Sequence, residues 1–409
     1  MQIFSGFVQA RRGRPPLAFS QQKRNLPVRR PGRNAMSIAA PDAVRPAIVA
    51  AGDAGRDTFA YCSQQYRVVF GAGTSVRLGE ETERLGIKRA LVLTTPEQQD
   101  LGQRLGAGLG ERLAGVFAGA RMHTPVEVTN EALGIVESRD IDGLVAIGGG
   151  STVGLGKALS LRTGLPHIAM PTTYAGSEMT PILGETTNGI KTTRHSQDLV
   201  PDTVIYDVDL TLSLPPHISA ASGLNAIAHA VEALYAPDAN PLTSLMAEDG
   251  IAALALALPR IMGAPADATA RRDALYGAWL CGVCLGAVGM SLHHKLCHVL
   301  GGMFDLPHAE THAIVLPHAA AYNAAAAPEA MRRVARALHS ANAPQGLFDL
   351  ARQLGLPRAL SDIGMPEGGI ARAAEMAVRN PYANPRPIDH APIEQLIVAA
   401  WRGDAPMQH

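Results

Sequence analysis

The histidines of this chain concentrate in one short stretch. Residues 289–312, GMSLHHKLCHVLGGMFDLPHAETH, hold five of its 14 histidines. Within that stretch His294 and His298 are four residues apart, as are Asn225 and His229 further upstream, so on helices each pair projects from one face. Taken alone, any one of these histidines fits a hydrogen-bonded core residue equally well. Together, ionisable groups in apolar sequence are costly unless they have a task, and they predict a metal or proton-transfer site.

A run of glycines predicts a second site, for a phosphate group. Residues 148–152, GGGST, follow the strand-like LVAI and precede the helical VGLGKALSL. Glycines there let the backbone approach a pyrophosphate, and the amides and dipole of the following helix stabilise its charge. Val153 breaks the G-x-G-x-x-G fingerprint, and a lone glycine run is also typical of a tight turn. A second strand ending in PTTYAGS, residues 171–177, adds hydroxyl groups and favours a nucleotide site.

A strand earlier in the chain bears on the choice of cofactor. RALVL ends in Thr94-Thr95-Pro96, with no acidic residue. An acid at the end of such a strand binds the ribose 2′-hydroxyl of NAD, whereas neutral hydroxyls neither repel a 2′-phosphate nor require a free hydroxyl. We therefore expect both NADH and NADPH to be accepted.

Composition argues against nucleic acid as a partner. The 409 residues carry 36 basic and 36 acidic side chains, and 47% are hydrophobic, which suffices for two ordinary domains. No Asp or Glu precedes Asp42, and eight basic residues do, which leaves 28 basic against 36 acidic side chains in the rest. Because that body is mildly acidic, we expect no nucleic-acid partner.

Residues 1–47 are predicted to form a disordered basic extension. They contain paired prolines, polar residues and no helical apolar stripe. Their composition also fits a targeting peptide, although the continuous apolar core of a secretory signal is lacking. We favour a dispensable extension, which would arise from a start codon assigned too far upstream of Met36.

One apolar run has the length of a membrane span. Residues 274–292, ALYGAWLCGVCLGAVGMSL, form 19 positions without a charge. Its many small residues and histidine-rich continuation favour a buried helix, so no membrane partner is expected. The four cysteines give no disulfide framework for a chain of this size. Cys281 and Cys284 form a C-x-x-C inside this run, where packing is favoured over zinc.

The order of apolar runs predicts the architecture. Between residues 66 and 215, strand-like runs (RVVFGAG, RALVLTT, GLVAIGGGS, HIAMPTT and TVIYDVD) alternate with helix-like runs at 97–115 and 129–139, which indicates a parallel sheet covered by helices. After Leu214-Pro215-Pro216 only helical runs follow. The chain is thus predicted to comprise an α/β dinucleotide-binding domain over 48–214 and a helical domain over 215–409. The histidines of the second would face the carboxyl ends of the strands, where open sheets bind ligands.

These motifs together resemble a known family. FGAG (70–73), GGGSTxxxxK (148–157), PTTYAGSE (171–178), the Asn225/His229 pair and the histidines 294, 298 and 308 resemble the iron-containing alcohol dehydrogenases, whose fold is shared with dehydroquinate synthase. The resemblance covers nearly everything from residue 60 onward. Within the family, HHKLCHVLGGMFDLPHAETHA and NPYANPRP look like the maleylacetate reductase subgroup, which reduces the carbon–carbon double bond of maleylacetate to give 3-oxoadipate in the degradation of aromatic compounds.

The resemblance implies a role for each site residue. The family holds its metal with one Asp and three His, at positions matched here by Asn225, His229, His294 and His308. Asn225 removes the only anionic ligand, and Gly154 stands where the dehydrogenases usually have Asp. Both departures agree with the reductase subgroup, so we expect no metal to be required. The predicted catalytic residues are His298, which matches a family histidine beside the nicotinamide, with His308, His294, His229, Asn225 and Tyr174.

The remaining predictions concern the cofactor, substrate and assembly. The cofactor is expected to contact Gly71, Gly73, Thr94, Gly148, Gly149, Gly150, Ser151, Thr152, Thr172, Thr173, Ser177 and Lys191. The substrate, a small dicarboxylate, suits a site with several histidines and no acid, because its negative charge grows as hydride adds. A cytoplasmic homodimer is expected.

Two other interpretations of the sequence stay open. A metal-dependent alcohol or polyol dehydrogenase would use Fe²⁺ or Zn²⁺ as a Lewis acid. A nucleotide-binding regulator that has lost catalysis would bind NADH without turnover, and would leave the histidine cluster without a purpose.

Overall fold

The computed structural model of the chain describes residues 66–187, 190–379 and 382–407. The predicted basic extension, residues 1–47, lies outside them. The predicted fold class is confirmed, because a parallel sheet with helices comes first along the chain and helices alone follow it. The last strand ends at Asp207, and the first long helix of the helical half begins at Pro216.

The described residues form eight strands: β1 (Arg67–Gly71), β2 (Ala90–Leu93), β3 (Leu113–Phe117), β4 (Gly143–Gly148), β5 (His167–Pro171), β6 (Ile182–Thr187), β7 (Ile190–His195) and β8 (Thr203–Asp207). Six of them make one parallel sheet in the order β1-β8-β5-β4-β2-β3. The four inner strands are buried throughout, which explains their continuous apolar sequences. Their carboxyl ends meet at one edge of the sheet.

Four helices pack on the two faces of this sheet: α1 (Leu78–Arg84), α2 (Gln99–Ala107), α3 (Val126–Ser138) and α4 (Gly150–Thr163). Alternate residues of β2 point to opposite faces. Val92 joins the apolar cluster that includes Leu78 of α1, whereas Leu91 joins the cluster that includes Val128 of α3 and Leu155 of α4.

The helix predicted over residues 97–115 is too long. In the structure α2 ends at Ala107, and β3 begins at Leu113. Gly110, between them, has φ 56°, a left-handed conformation in which an α-helix cannot continue. The edge strand β3 was therefore not predicted.

The hairpin of β6 and β7 was also missed. The two strands pair antiparallel, with Ile182 opposite His195, apart from the main sheet. The dipeptide Asn188-Gly189 between two runs rich in threonine is the sequence signal that could have predicted it.

The helical half contains nine described helices: α5 (Pro216–Ala233), α6 (Pro241–Gly263), α7 (Ala268–Ala287), α8 (Leu292–Phe304), α9 (His308–Asn323), α10 (Pro328–Ala337), α11 (Ala343–Gln353), α12 (Ile370–Val378) and α13 (His390–Arg402). Four of them, α5, α6, α10 and α11, carry proline at the first or second helical position, where a missing N–H costs nothing. Asn240 caps α6 in a capping box with Thr243.

The uncharged run 274–292 is not one helix. Its first part lies in α7, which ends at Ala287, and α8 begins at Leu292 after a bend of 94°. Taken together as one bent span, α7 and α8 are long and apolar enough to cross a membrane. Helix α6 alone is also long and apolar enough, and 44% of its most apolar window is buried. Cys281 and Cys284 are buried in α7, and burial raises the pKa of Cys284 to about 12, which agrees with packing.

Candidate active site

The glycine turn lies at the carboxyl end of β4, where α4 begins. Gly149, the N-cap residue, makes no side-chain hydrogen bond to the first amides of α4, so these amides can bind an anion. Gly148 has φ 155°, and a Cβ at that position would lie 2.4 Å from Thr152 Oγ1 and 2.8 Å from Gln98 Oε1. The chain can therefore form this turn only with glycine at 148.

The loop after β5 packs over the same turn. The amide of Thr172 donates to the carbonyl of Gly148 at 3.1 Å, and Gln98 Nε2 donates to Thr172 Oγ1 at 3.0 Å. A Cβ on Gly149 would lie only 3.0 Å from Thr173 Cγ2. The two loops that the sequence paired are thus in contact at the edge of the sheet.

Lys157 of α4 binds the later part of the loop after β5. Its side chain is 1% exposed, and Nζ donates to the carbonyls of Ser177, Thr180 and Ile182 and to the Thr180 hydroxyl, at 2.5 to 3.0 Å. Burial lowers the pKa of Lys157 to about 7, which the charge of Glu178 opposes. The lysine therefore holds in place the segment that joins the loop after β5 to the hairpin of β6 and β7.

Asp207, at the end of β8, holds the loop after β1. It is fully buried, and its two carboxylate oxygens accept the amides of Gly73 and Ser75, each at 2.8 Å. Gly71 and Gly73 have φ values of 148° and 69°. Asp207 was predicted only as the end of a strand, because its hydrogen-bond partners lie more than 130 residues earlier in the chain.

A cavity of about 860 Å³ lies between the hairpin side of the sheet half and the helical half. Ser177, which lies 3.8 Å from a Cβ placed on Gly150, lines it at the end next to the glycine turn. The opposite wall carries five histidines: His229, His294, His298, His308 and His312. Among the described residues that line it, none is Lys or Arg, and the carboxylate of Asp238 accepts the amide of Gly289.

The histidines converge from three helices. His229 of α5 stacks on His294 of α8, with ring centroids 5.1 Å apart. His294 also lies 5.1 Å from His312 of α9, and His312 lies 4.3 Å from His308. His298 follows one turn after His294, at 6.4 Å. The structure thus brings His229 together with both members of the His294/His298 pair, whereas Asn225, buried on α5, is not among the described residues that line the cavity.

A second layer lies beneath these rings. His293 is fully buried, and its Nε2 is 2.9 Å from Nδ1 of His312. Cys297 Sγ lies 3.8 Å from the same Nε2. His293 therefore supports a residue of the cavity wall without lining the cavity itself.

The expectation of a site without an acid is wrong, because Asp238 lines the cavity. A second acid lies behind the histidines. Glu232 of α5, fully buried, lies against the histidines and accepts a hydrogen bond from His294 Nδ1 at 2.7 Å. The backbone amides of Ser291 and His293 also donate to it, each at 2.8 Å. Because these partners lie about 60 residues away in the chain, no local pattern indicates the position of Glu232, and one Glu on a helix most often faces solvent.

Burial dominates the electrostatics of the buried imidazoles. It lowers the pKa values of His229, His293 and His312 well below that of a free histidine, and the neighbouring histidines add to the effect. These three rings are therefore neutral at pH 7. Neutral rings carry one N–H and one lone pair each, so each can donate one hydrogen bond and accept another.

Some predicted residues lie elsewhere. Tyr174 is fully buried in the main apolar cluster, 3.4 Å from Arg271 Nη1, so the structure does not bring it to the cavity. Thr94 is fully buried, and Thr152 lies in the first turn of α4, also buried. Ser151 is next to it, partly exposed. The side chain of Lys191 lies outside the described part of the chain.

Comparison with known proteins identifies the family. Residues 65–208 match the family model described as iron-containing alcohol dehydrogenase, and residues 219–401 match the C-terminal model of the same family. The chain belongs to the iron-containing alcohol dehydrogenase family. Gly154, where the dehydrogenases usually have Asp, has little room for a side chain, because a Cβ would lie 2.5 Å from Thr124 Oγ1.

Several relatives are maleylacetate reductases. The chain is 56% identical to maleylacetate reductase of Burkholderia cepacia over 340 residues, which cover 83% of this chain and 97% of that protein. It is also 56% identical to the maleylacetate reductase of Sphingobium indicum, over 85% of this chain and 99% of the relative. The crystal structure of maleylacetate reductase from Agrobacterium tumefaciens matches with a TM-score of 0.84 and 52% identity, over 86% of this chain and all of that one.

The family's four metal positions carry one amide and three imidazoles in this chain. Asn225 Oδ1, His229 Nδ1 and His294 Nε2 are buried without hydrogen-bond partners, so lone pairs are present, but no carboxylate is among the four residues. Among the described residues, the group of three His, Cys or carboxylate ligands whose atoms gather within 4.8 Å is His293, Cys297 and His312, not the family set. The amide of Asn225 in place of a carboxylate leaves the family positions without an anionic ligand.

Proposed function

We propose that this protein is a maleylacetate reductase, which uses NADH or NADPH to reduce the carbon–carbon double bond of maleylacetate and yields 3-oxoadipate. The observation that carries the proposal is the 56% identity to the maleylacetate reductase of Burkholderia cepacia across 97% of that protein. The cavity supports it, because five histidines line one wall and Ser177, beside the glycine turn that suits a pyrophosphate, lines the other end.

The reaction consumes one hydride and one proton. When bound, the nicotinamide supplies the hydride, which adds to the alkene carbon farther from the ketone, and the electron pair of the double bond moves onto the ketone oxygen as an enolate. His298 and His308 line the cavity and are the groups proposed to hold that oxygen and to deliver the proton to the carbon beside the ketone. His229 and Asn225 on α5 would orient the carboxylates.

We also propose that the reaction needs no metal. The absence of a carboxylate from the family's ligand positions supports this, since Asn225 is neutral. The competing function is a metal-dependent dehydrogenase, as the Corynebacterium glutamicum iron-containing alcohol dehydrogenase is named, whose crystal structure is 41% identical in sequence. A regulator without catalytic activity would leave the cavity and its histidines unexplained.

The broader proposals concern cofactor choice and assembly. Thr94 at the end of β2 offers no charge against a 2′-phosphate, which supports the use of both NADH and NADPH. A cytoplasmic homodimer rests on the resemblance to the family alone. Light scattering of the purified chain tests the dimer: a mass of one chain at micromolar concentration would contradict it.

An assay of NADH oxidation with maleylacetate tests the function. We expect turnover that forms 3-oxoadipate, identified by mass spectrometry, at equal rates before and after exhaustive treatment with EDTA. Simple aldehydes and alcohols serve as controls and should give no turnover. If EDTA abolishes activity and Fe²⁺ or Zn²⁺ restores it, the metal-free reaction is wrong; if aldehydes alone react, the protein is a dehydrogenase instead.

A further inference from the structure

Glu232 is a buried carboxylate whose contacts are saturated. Oε2 accepts the amide of Ser291 at 2.8 Å and Nδ1–H of His294 at 2.7 Å. Oε1 accepts the amide of His293 at 2.8 Å and the hydroxyl of Tyr235 at 3.2 Å. A carboxylate offers about four lone-pair directions, and all four meet a donor here.

This carboxylate also caps a helix of the site. The N-cap residue of α8, Ser291, makes no side-chain hydrogen bond to the helix amides, and its hydroxyl donates to Ala383 O instead. Glu232, from α5, takes the place of the cap, where a negative charge is favoured. The same side chain therefore joins α5, which carries His229, to α8, which carries His294 and His298.

The contact with His294 fixes more than the ring position. Both carboxylate oxygens of Glu232 accept hydrogen bonds, so His294 donates from Nδ1, and a ring that carries a single proton has it on that nitrogen. The other nitrogen, Nε2, then carries a lone pair, has no hydrogen-bond partner and belongs to a ring that lines the cavity. In that tautomer His294 accepts hydrogen bonds from the cavity and does not donate them.

We propose that Glu232 is a positioning residue for the reductase reaction: it holds His294 in the Nδ1–H tautomer and so leaves proton donation to His298 and His308. The proposal rests on the proposed function for its kinetic consequence, but not for the tautomer. It assigns a specific role to a residue that contacts neither cavity nor substrate. Outer-layer carboxylates that orient a histidine typically change activity by about 10- to 100-fold when removed.

Glu232→Gln tests the role because glutamine is equal in size but cannot accept four hydrogen bonds. Whichever way its amide is placed, the NH₂ group faces a backbone N–H, of Ser291 or of His293. We expect kcat for maleylacetate to fall at least about tenfold while the KM for NADH changes less than about twofold, since the glycine turn is on the other half. Glu81→Gln, which removes another fully buried carboxylate that is not among the residues lining the cavity, is the control for general stability and should keep kcat.

The tautomer is measured on the unaltered protein. In the full chain labelled with ¹⁵N-histidine, the His294 signals, assigned by their loss in His294→Asn, should show a protonated Nδ1 and an unprotonated Nε2 at pH 8. A protonated Nε2, or a Glu232→Gln protein that keeps kcat within about threefold, would overturn the proposal. If the unaltered protein does not reduce maleylacetate, the proposed function fails while the NMR result still decides the role of Glu232.

Discussion

At the scale of single residues, the structure separates histidines that the sequence could not distinguish. His298 is exposed to the cavity, whereas His293, five positions earlier, is fully buried beneath His312. The first can reach a substrate and the second cannot. Their positions in the chain place the two side chains on different faces of one helix, but only the packing of α9 against α8 shows which face forms the wall of the cavity.

His298→Ala should therefore lower kcat for maleylacetate by about 10²-fold, the scale of a positioned proton donor, with little change in the KM for NADH. Steady-state kinetics measure both. His293→Ala should act differently: it leaves His312 Nδ1 without its partner and opens a space in the core, so the melting temperature should fall by several degrees with a smaller loss of kcat. A greater loss of kcat in His293→Ala than in His298→Ala would mean that the proton donor is misassigned.

Asn225→Asp should restore the charge that the family's metal site requires. Asn225 Oδ1 is buried without a partner, so a carboxylate there has no donor to stabilise it except a cation. We expect zinc retained after dialysis, measured by mass spectrometry, to rise, and the KM for dianionic maleylacetate to rise about tenfold, which is ~1.4 kcal/mol. Asn342→Asp, at the N-cap of α11, is the control. No gain in retained metal would show that more than charge is missing from the site.

At the scale of elements, sequence patterns predicted the parts whose signals are local. All five predicted strands are present, because buried parallel strands carry continuous apolar runs. β3 was missed because the helix-like run was extended through Gly110 to residue 115. Glu232 was missed because its partners come from another helix about 60 residues away. Tyr174 shows the opposite limit: it lies in the PTTYAGS motif, but its side chain is buried in the core, where its hydroxyl accepts a hydrogen bond from Arg271.

The glycine turn gives a prediction at this scale. Gly149→Val would place a branched side chain 3.0 Å from Thr173 Cγ2, in the space between the two loops and over the first amides of α4. We expect the KM for NADH to rise at least about tenfold, ~1.4 kcal/mol, with the fold retained. Gly134→Val on α3, where a Cβ meets nothing within 4 Å, should leave that KM unchanged. Equal KM values in both variants would mean that the turn does not bind the cofactor.

At the scale of the whole molecule, buried neutral histidines couple folding to pH. Besides those of the cavity, burial lowers the pKa of His167 on β5 to about 3 and that of His318 on α9 to about 4. Both ring nitrogens of His167 lack hydrogen-bond partners, and a Cβ on Gly156 would lie 2.3 Å from its Nε2. The neutral ring therefore packs closely in the core without hydrogen bonds, and its protonation opposes the folded state.

The unfolded chain therefore binds more protons than the folded one between the lowered pKa values and about 6.5, the pKa of a free histidine. The contribution of these neutral rings to the free energy of unfolding is fully present above about pH 6.5 and is lost as the pH falls below it. For His167 alone the loss from pH 7.5 to pH 5 is ~2 kcal/mol. His167→Leu, which removes the titrating ring without breaking a hydrogen bond, should reduce the difference in unfolding free energy between those two pH values by about that amount, as measured by urea denaturation. His217→Leu, at an exposed position of α5, should keep the full difference; if both variants keep it, His167 is not the source of acid sensitivity.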